Sequence, residues 1–336
     1  MTLATRTKLE RACERRGASS PDPIPVAWNL ALTALGIATA STCLWIACHA
    51  GSVWIRLAAA LVFSYVNNTL FSLLHESVHG VLHPDRRWNE ALGRVLAAFF
   101  PTALGFQRVF HLGHHRRNRT EAEQFDYLRP GDNRFLKLAQ WYAILTGLYW
   151  VFSPLGCLVY LISPRSFRSA LVRGESGVAA QTSAEAMLSG FDERPSAVMR
   201  LEILLSIAVQ AALFLALGLD WAGWLLCYAA FAVNWSSLQY ADHAWSKLDV
   251  HDGAWNLRVN PVIRFLFLNY HHHRAHHQHP SVPWIHLPRH VDLAEERPTF
   301  LGIWLGMWRG PRPFPAERVP GTLRAPSNGA LRGEAG

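Results

Sequence analysis

Charged residues are scarce in this 336-residue chain. Asp, Glu, Lys and Arg make up only 17% of it, whereas soluble proteins carry about 25%. Hydrophobic residues make up 50%, and the charges are missing from long continuous blocks instead of being thinned evenly. This distribution predicts a membrane protein.

Cysteine is also sparse, and its spacing excludes several kinds of site. No two cysteines form a CxxC pair, so a zinc ribbon, a rubredoxin knuckle and a redox pair are excluded. Four of the five lie in apolar segments, and we expect them to be small buried hydrophobes. The five are Cys13, Cys43, Cys48, Cys157 and Cys227.

Neither a cleavable signal nor a nucleic-acid-binding module is evident in the sequence. Residues 1–22 are polar, and the apolar block that follows is much longer than a signal h-region. The net charge is +8 and the pI about 9.6, but the Arg and Lys residues flank apolar blocks. This favours positive-inside membrane anchoring over nucleic-acid binding, with 1–22 as a basic cytoplasmic segment.

Four apolar blocks are long enough to cross a bilayer. A helix rises about 1.5 Å per residue, so about 20 residues span the hydrocarbon. Gly51 and Asp220 mark turns that pair the blocks into two hairpins. We therefore predict an all-α integral membrane fold of about four transmembrane helices. The predicted spans are 28–49, 57–74, 203–219 and 221–241.

Two shorter or broken apolar blocks, 95–107 and 138–164, are predicted to be interfacial or re-entrant. The first has only 13 residues. If the second crossed once, the Arg-rich loop 165–200 would lie outside, and residues 269–280 would face away from His75. We therefore place the histidine clusters together in a cytoplasmic cap. The membrane domain is predicted to cover 23–290, followed over 291–336 by an interfacial segment and a disordered tail from Arg309.

Histidine is what the chain has in abundance, in three clusters: "HESVHG", "HLGHH" and "HRAHH". Within each cluster the spacings of three and four residues bring imidazoles to one face of a helix. Each cluster follows an apolar block, which favours one shared metal site. These histidines are His75, His79, His111, His114, His115, His273, His276 and His277.

Eight neutral imidazoles beside a membrane are costly to desolvate unless their lone pairs are used. One ion cannot take eight ligands, so two ions are expected. Imidazole suits iron, zinc and copper, and iron is the natural choice for oxygen activation. His243 in "QYADHAW" is a ninth candidate ligand. Residues predicted to support the ligands from behind are Asp242, Gln239, Asn269 and His272.

Two other classes of function are compatible with single features. "HESVH" matches the HExxH order of zinc proteases, although the other two clusters would then have no role. A metal transporter would use polar residues within the bilayer, but these histidines lie beyond the apolar blocks.

Taken together, "HESVHG", "HLGHH" and "NYHHHRAHHQHPSVPW" resemble the three histidine boxes of the integral-membrane fatty acid desaturase and hydroxylase superfamily. The third stretch is similar to the bacterial acyl-lipid branch, and the resemblance covers roughly residues 28–290. One departure is the acidic run that often follows the second box, because Asp126 in "RRNRTEAEQFD" arrives late. The role of an acid there stays open.

The resemblance implies an O₂-dependent oxidoreductase with two non-haem irons held by the nine histidines. It implies a bacterial inner or plasma membrane and a fatty acyl or lipid substrate among membrane lipids. Desaturation is the first expectation, with hydroxylation or olefin-forming decarboxylation as alternatives. No HPGG motif and no iron–sulfur cysteine pattern is present, so a separate ferredoxin, rubredoxin or cytochrome is expected to supply electrons.

Overall fold

The computed structural model describes residues 22–164, 188, 190–191 and 196–315. Nearly all of its regular structure is helical, which confirms the predicted all-α class. The helices are α1 (Val26–His49), α2 (Val53–His79), α3 (Arg86–Phe99), α4 (Leu104–Arg117), α5 (Arg134–Leu145), α6 (Leu148–Ile162), α7 (Ser196–Leu217), α8 (Trp221–Ala241), α9 (Pro261–Leu266), α10 (His273–Gln278) and α11 (Phe300–Met307); the strands are β1 (Tyr127–Leu128) and β2 (Arg312–Pro313).

Among the described helices, α1, α2 and α7 are each long and apolar enough to cross a membrane, and up to five segments qualify if each of two bent helix pairs counts as one span. α8, the fourth predicted span, forms a 21-residue helix. It falls outside those three because polar residues such as Asn234, Ser236 and Gln239 occupy its last turns.

The two blocks predicted to be interfacial each contain a sharp break. α3 and α4 meet at 93°, and α5 and α6 meet at 94°. Gly147 forms the second break with φ +86°, and a Cβ there would lie 2.8 Å from the α8 backbone at Ala232 and Val233. Only glycine satisfies both conditions.

The end of α3 is capped by polar side chains from the neighbouring helices. Gln210 donates to the carbonyl of Ala98 at 2.8 Å, while Tyr228 and Asn67 each donate to that of Phe99 at 3.1 Å. A carbonyl left free among apolar helices costs several kcal/mol in lipid (about 1–3 in protein interiors). These three bonds let a helix end within the apolar bundle.

The cap that carries the histidine clusters is tied together by a fully buried ion pair. Arg119 makes two bonds to Asp126, at 2.8 and 2.9 Å, and both side chains have no solvent exposure. The hydroxyl of Tyr240 at the end of α8 donates to the same carboxylate at 2.8 Å. The pair therefore fixes the loop after α4 against α8.

The C-terminal segment is ordered further than predicted. β2 pairs in parallel with β1, and Phe314 donates its backbone N–H to the carbonyl of Leu128 at 2.8 Å. The prediction of disorder from Arg309 is therefore wrong for residues 309–315, because a cap strand supplies backbone partners that composition does not reveal. Residues 316–336, like residues 1–21, lie outside the described part of the chain.

Candidate metal centre

The first histidine box lies in the last two turns of α2. Gly80 ends that helix with φ +77°, and its N–H donates to the carbonyls of Glu76 and Ser77. The helix thus stops directly after His79 and leaves both of its histidines at the boundary between the apolar bundle and the cap. His75 is buried, and His79 is half-buried.

One group of imidazoles forms where α2, α4 and α10 meet. The ligand nitrogens of His75, His79, His111 and His276 all lie within 4.8 Å of one another. The Nε2 atom of His115 lies 3.0 Å from the Nε2 atoms of both His111 and His276. Five of the nine predicted ligands are therefore brought together here.

A second group contains the remaining four predicted ligands. The nitrogens of His114, His243, His273 and His277 again lie within 4.8 Å of one another. The Nε2 atom of His114 is 3.1 Å from that of His243 and 3.2 Å from that of His277. The ring centroids of His115 and His277 are 4.3 Å apart, so the two groups adjoin.

The arrangement of nitrogens fits a cation in each group. Nδ1 of His114 lies 2.5 Å from Glu123 Oε2, and Nδ1 of His243 lies 2.9 Å from the carbonyl oxygen of Gly253. Both oxygens accept hydrogen bonds, so each Nδ1 carries the proton and each Nε2 presents a lone pair. Lone pairs that face one another repel unless a cation lies between them. The buried Nε2 of His75 has no hydrogen-bond partner among the described residues, and imidazole nitrogen is a donor that iron accepts.

Burial keeps the cap imidazoles neutral. It lowers the pKa of His243, His273, His276 and His277 well below the usual value. Neighbouring imidazoles lower it further, since each would repel a second positive charge. Neutral rings offer the lone pairs that metal binding requires.

Glu123 is a functional candidate that the sequence did not single out. It lies on a short 3-10 turn after α4, where its carboxylate accepts from His114 and, at 3.1 Å, from Nε of Arg117. Glu121, two residues earlier, is exposed. "EAEQFD" contains three acids, and only the path of the turn decides which of them faces the histidines. Asp126, whose role was open, pairs with Arg119 instead.

Of the four predicted supporting residues, Asp242 lies beside the imidazoles, and Gln239 contacts a tyrosine that packs against them. Asp242 has carboxylate oxygens 3.4 Å from Nδ1 of His273 and 3.8 Å from Nε2 of His243. Neither oxygen has a hydrogen-bond partner among the described residues, and burial raises the pKa of this carboxyl well above its usual range. Gln239 accepts from the hydroxyl of Tyr270 at 3.2 Å.

The other two supporting residues are directed elsewhere. Asn269 donates to the carbonyl of Trp284 and accepts from Arg264, both at 3.0 Å. The ring of His272 packs at a tilt against that of His271 with centroids 4.0 Å apart, and burial lowers the pKa of His272 to about 4. In the described structure both residues shape the loop before α10.

A small cavity of about 10 Å³ adjoins the first group, and we call it the inner cavity. Its polar wall includes Glu76, whose carboxylate accepts the backbone N–H of Trp284 at 3.0 Å. That bond engages the carboxylate that a zinc protease would use as its base. The lining residues are Ser72, His75, Glu76, Leu268, Tyr270, His273, His276 and Leu287.

Comparison with known proteins agrees with the histidine boxes. Residues 51–308 match the family model described as "Fatty acid desaturase". A beta-carotene ketolase from Paracoccus sp. (strain N81106 / MBIC 01143) is 26% identical over 135 residues, which cover 36% of this chain and 52% of the ketolase. The chain thus spans about half the length of that relative.

Proposed function

Because this chain belongs to the fatty acid desaturase family, we propose that it is an O₂-dependent membrane oxidoreductase that holds two non-haem irons and acts on unactivated C–H bonds of an acyl chain. Desaturation is the first proposal. The observation that carries it is the convergence of nine imidazoles from three separate boxes and His243 into two adjoining groups.

The protein's own residues would hold and orient the ions. Irons bound by the two groups would activate O₂, the oxidant that accepts the hydrogen removed from a methylene. Glu123 and the carbonyl of Gly253 fix two rings by holding their Nδ1 protons. Such partners behind the ligands set ring orientation and basicity.

An aromatic layer on the membrane side keeps water from the site. The ring of Phe71, one turn before His75, packs against Phe100, Trp235 and Tyr270 at centroid distances of 5.2, 5.4 and 6.0 Å. Tyr270 in turn lies 5.1 Å from His75 and 5.0 Å from His273. This packing places aromatic rings between the apolar bundle and the imidazoles, and such a wall would help to keep water out of an oxidation site.

A second candidate is insertion of oxygen into the substrate. The similarity to a beta-carotene ketolase favours it, since a ketolase adds oxygen to its carotenoid. The nine histidines are compatible with both outcomes. Desaturation removes two hydrogens, and together with two donor electrons and two protons these reduce O₂ to two waters; hydroxylation leaves one oxygen atom in the product.

The proposal extends to location and partners. We place the histidine groups on the cytoplasmic face of a bacterial inner membrane, and we expect a separate ferredoxin, rubredoxin or cytochrome to deliver electrons there. Acidic donors would be steered by the basic residues of that face.

Product analysis tests the function. The chain and its H276A variant would be expressed in a host, and total acyl lipids compared by mass spectrometry. We expect new chains with two hydrogens fewer, only with the unaltered chain. Chains with one oxygen more would establish the second candidate, and acyl chains unchanged in both samples would contradict both.

A further inference from the structure

A second cavity of about 290 Å³ lies beside the metal centre, and we call it the outer pocket. Its walls are mostly apolar, with one guanidinium at the edge. The lining residues are Pro261, Arg264, Phe265, Asn269 and Trp284.

The outer pocket lies level with the end of the bundle that carries the first histidine box. α9, which carries three of its lining residues, is fixed to α2 by two bonds. The Thr69 hydroxyl donates to the carbonyl of Leu266 at 2.6 Å, and the Ser72 hydroxyl donates to that of Phe267 at 3.1 Å. Both donors lie within two turns of His75. In a bilayer that surrounds the apolar helices, a pocket at this level would face the lipid head groups.

A wall one residue thick separates the outer pocket from the inner cavity. Asn269 lines the outer pocket, while its chain neighbours Leu268 and Tyr270 line the inner cavity. Leu268 and Asn269 have φ values of +47° and +58°, a region that leucine rarely adopts although asparagine tolerates it. The wall is thus a strained turn, fixed by the bonds from Asn269 to Trp284 and Arg264, and such strain concentrates at binding sites.

Arg264 is the charged group of the outer pocket. Within the described part of the chain its Nε donates to Asn269, and no carboxylate pairs with it. By contrast, Arg274 is paired with Glu295, and Arg289 with Asp22. A guanidinium that lies beside apolar walls and has no acidic partner is suited to bind the anionic group of an amphiphile. Its planar fork of N–H donors matches the oxygens of a carboxylate or a phosphate.

We propose that the outer pocket binds the anionic head group of an acyl lipid through Arg264, on the opposite side of the Leu268–Asn269 turn from the inner cavity beside His75 and His276. This inference rests on the proposed function and names its substrate class. The substrate would be an acyl chain that carries a carboxylate or a phosphate, and not a neutral isoprenoid.

Equilibrium binding to the purified full-length protein in nanodiscs tests the assignment without turnover. The probes are radiolabelled palmitate, lysophosphatidate, 1-hexadecanol and β-carotene. R264Q removes the proposed contact. R258Q is the matched control, since Arg258 is exposed, close in sequence and outside the pocket lining. Equal iron content and melting temperature would verify that both variants fold.

We expect R264Q to weaken palmitate or lysophosphatidate binding by about tenfold or more, the loss typical of a charge-assisted hydrogen bond. Hexadecanol binding should stay within about twofold of the unaltered protein's, as should every probe with R258Q. If only palmitate binding depends on Arg264, the head group is a carboxylate. If only lysophosphatidate binding depends on it, the head group is a phosphate.

Three outcomes would overturn the inference. R264Q and R258Q could weaken anion binding equally, R264Q could weaken hexadecanol binding as much as palmitate binding, or β-carotene could be the only probe that binds. Anion binding that is indifferent to Arg264 in a protein that oxidises acyl chains would also overturn it, and the proposed function would then stand. If the protein forms no oxidation products but still needs Arg264 to bind anions, the head-group site would stand and the proposed oxidation would be contradicted.

Discussion

At the scale of single residues, the hydrogen bonds behind the imidazoles matter as much as the imidazoles themselves. Glu123 fixes His114 from a position that spacing does not reveal, whereas the ligand candidates follow from their intervals of three and four. Helical periodicity predicts neighbours within one turn, but a 3-10 turn after the helix has no periodic signal. The sequence therefore predicted the imidazoles and missed their partner.

Replacing Glu123 by Gln should weaken metal binding by about 10–100-fold, the usual cost of losing a partner behind a ligand. The amide cannot hold the Nδ1 proton of His114 as strongly, and it gives up the charge that pairs with Arg117. Iron retention during titration with a chelator measures the effect. E121Q is the control, because Glu121 is exposed. Equal retention in the two variants would contradict the assigned role.

Replacing Arg119 by Met should destabilise the cap by about 3–5 kcal/mol, because it leaves the Asp126 carboxylate buried without its ion pair. The melting temperature in detergent should fall clearly. K247M is the control, because it removes only the exposed partner of Asp252, and its melting temperature should equal that of the unaltered protein. A melting temperature that stays constant in R119M would show that the buried pair does not hold the cap.

At the scale of helices, sequence predicted the long apolar elements well and the breaks less well. α1 and α8 coincide closely with their charge-free blocks, because composition alone decides whether a long segment is stable among lipids. α2 runs past the predicted 57–74 block at both ends and includes Arg56 and Glu76. The 95–107 block is different. It covers the end of α3 and the start of α4. The hydrogen bonds from Gln210 and Tyr228 that satisfy the last carbonyls of α3 come from helices more than 100 residues away along the chain, so local sequence does not reveal the break.

The contact between α1 and α8 depends on a small residue. A Cβ on Gly223 would lie 2.6 Å from Sγ of Cys48 and 2.8 Å from the backbone of Ala47. G223A should therefore force the helices apart and cost about 1–3 kcal/mol. G51A is the matched control, since nothing lies within 4 Å of a Cβ there. Similar thermal stability in the two variants would disprove the close contact.

At the scale of the whole molecule, two metal ions held jointly by the three histidine boxes require all three boxes to lie on one side of the bilayer. The bent pair α3–α4 must then enter and leave on the same side, so that the first and second boxes meet.

Cysteine labelling in sealed vesicles tests that topology. In a background without the native cysteines, R87C and R116C flank the bent pair at exposed positions. Both should react with an impermeant thiol reagent from the same side, while G51C should react only from the other. Labelling of R87C and R116C from opposite sides would refute the re-entrant path.

The most direct measurement is the metal content of the purified, catalytically active protein by elemental analysis. Two adjoining groups of imidazoles predict two irons per chain, with H111A and H243A each lowering the ratio toward one. Active protein that contains zinc alone, a single iron or no metal would contradict the proposal that these histidines hold a pair of irons.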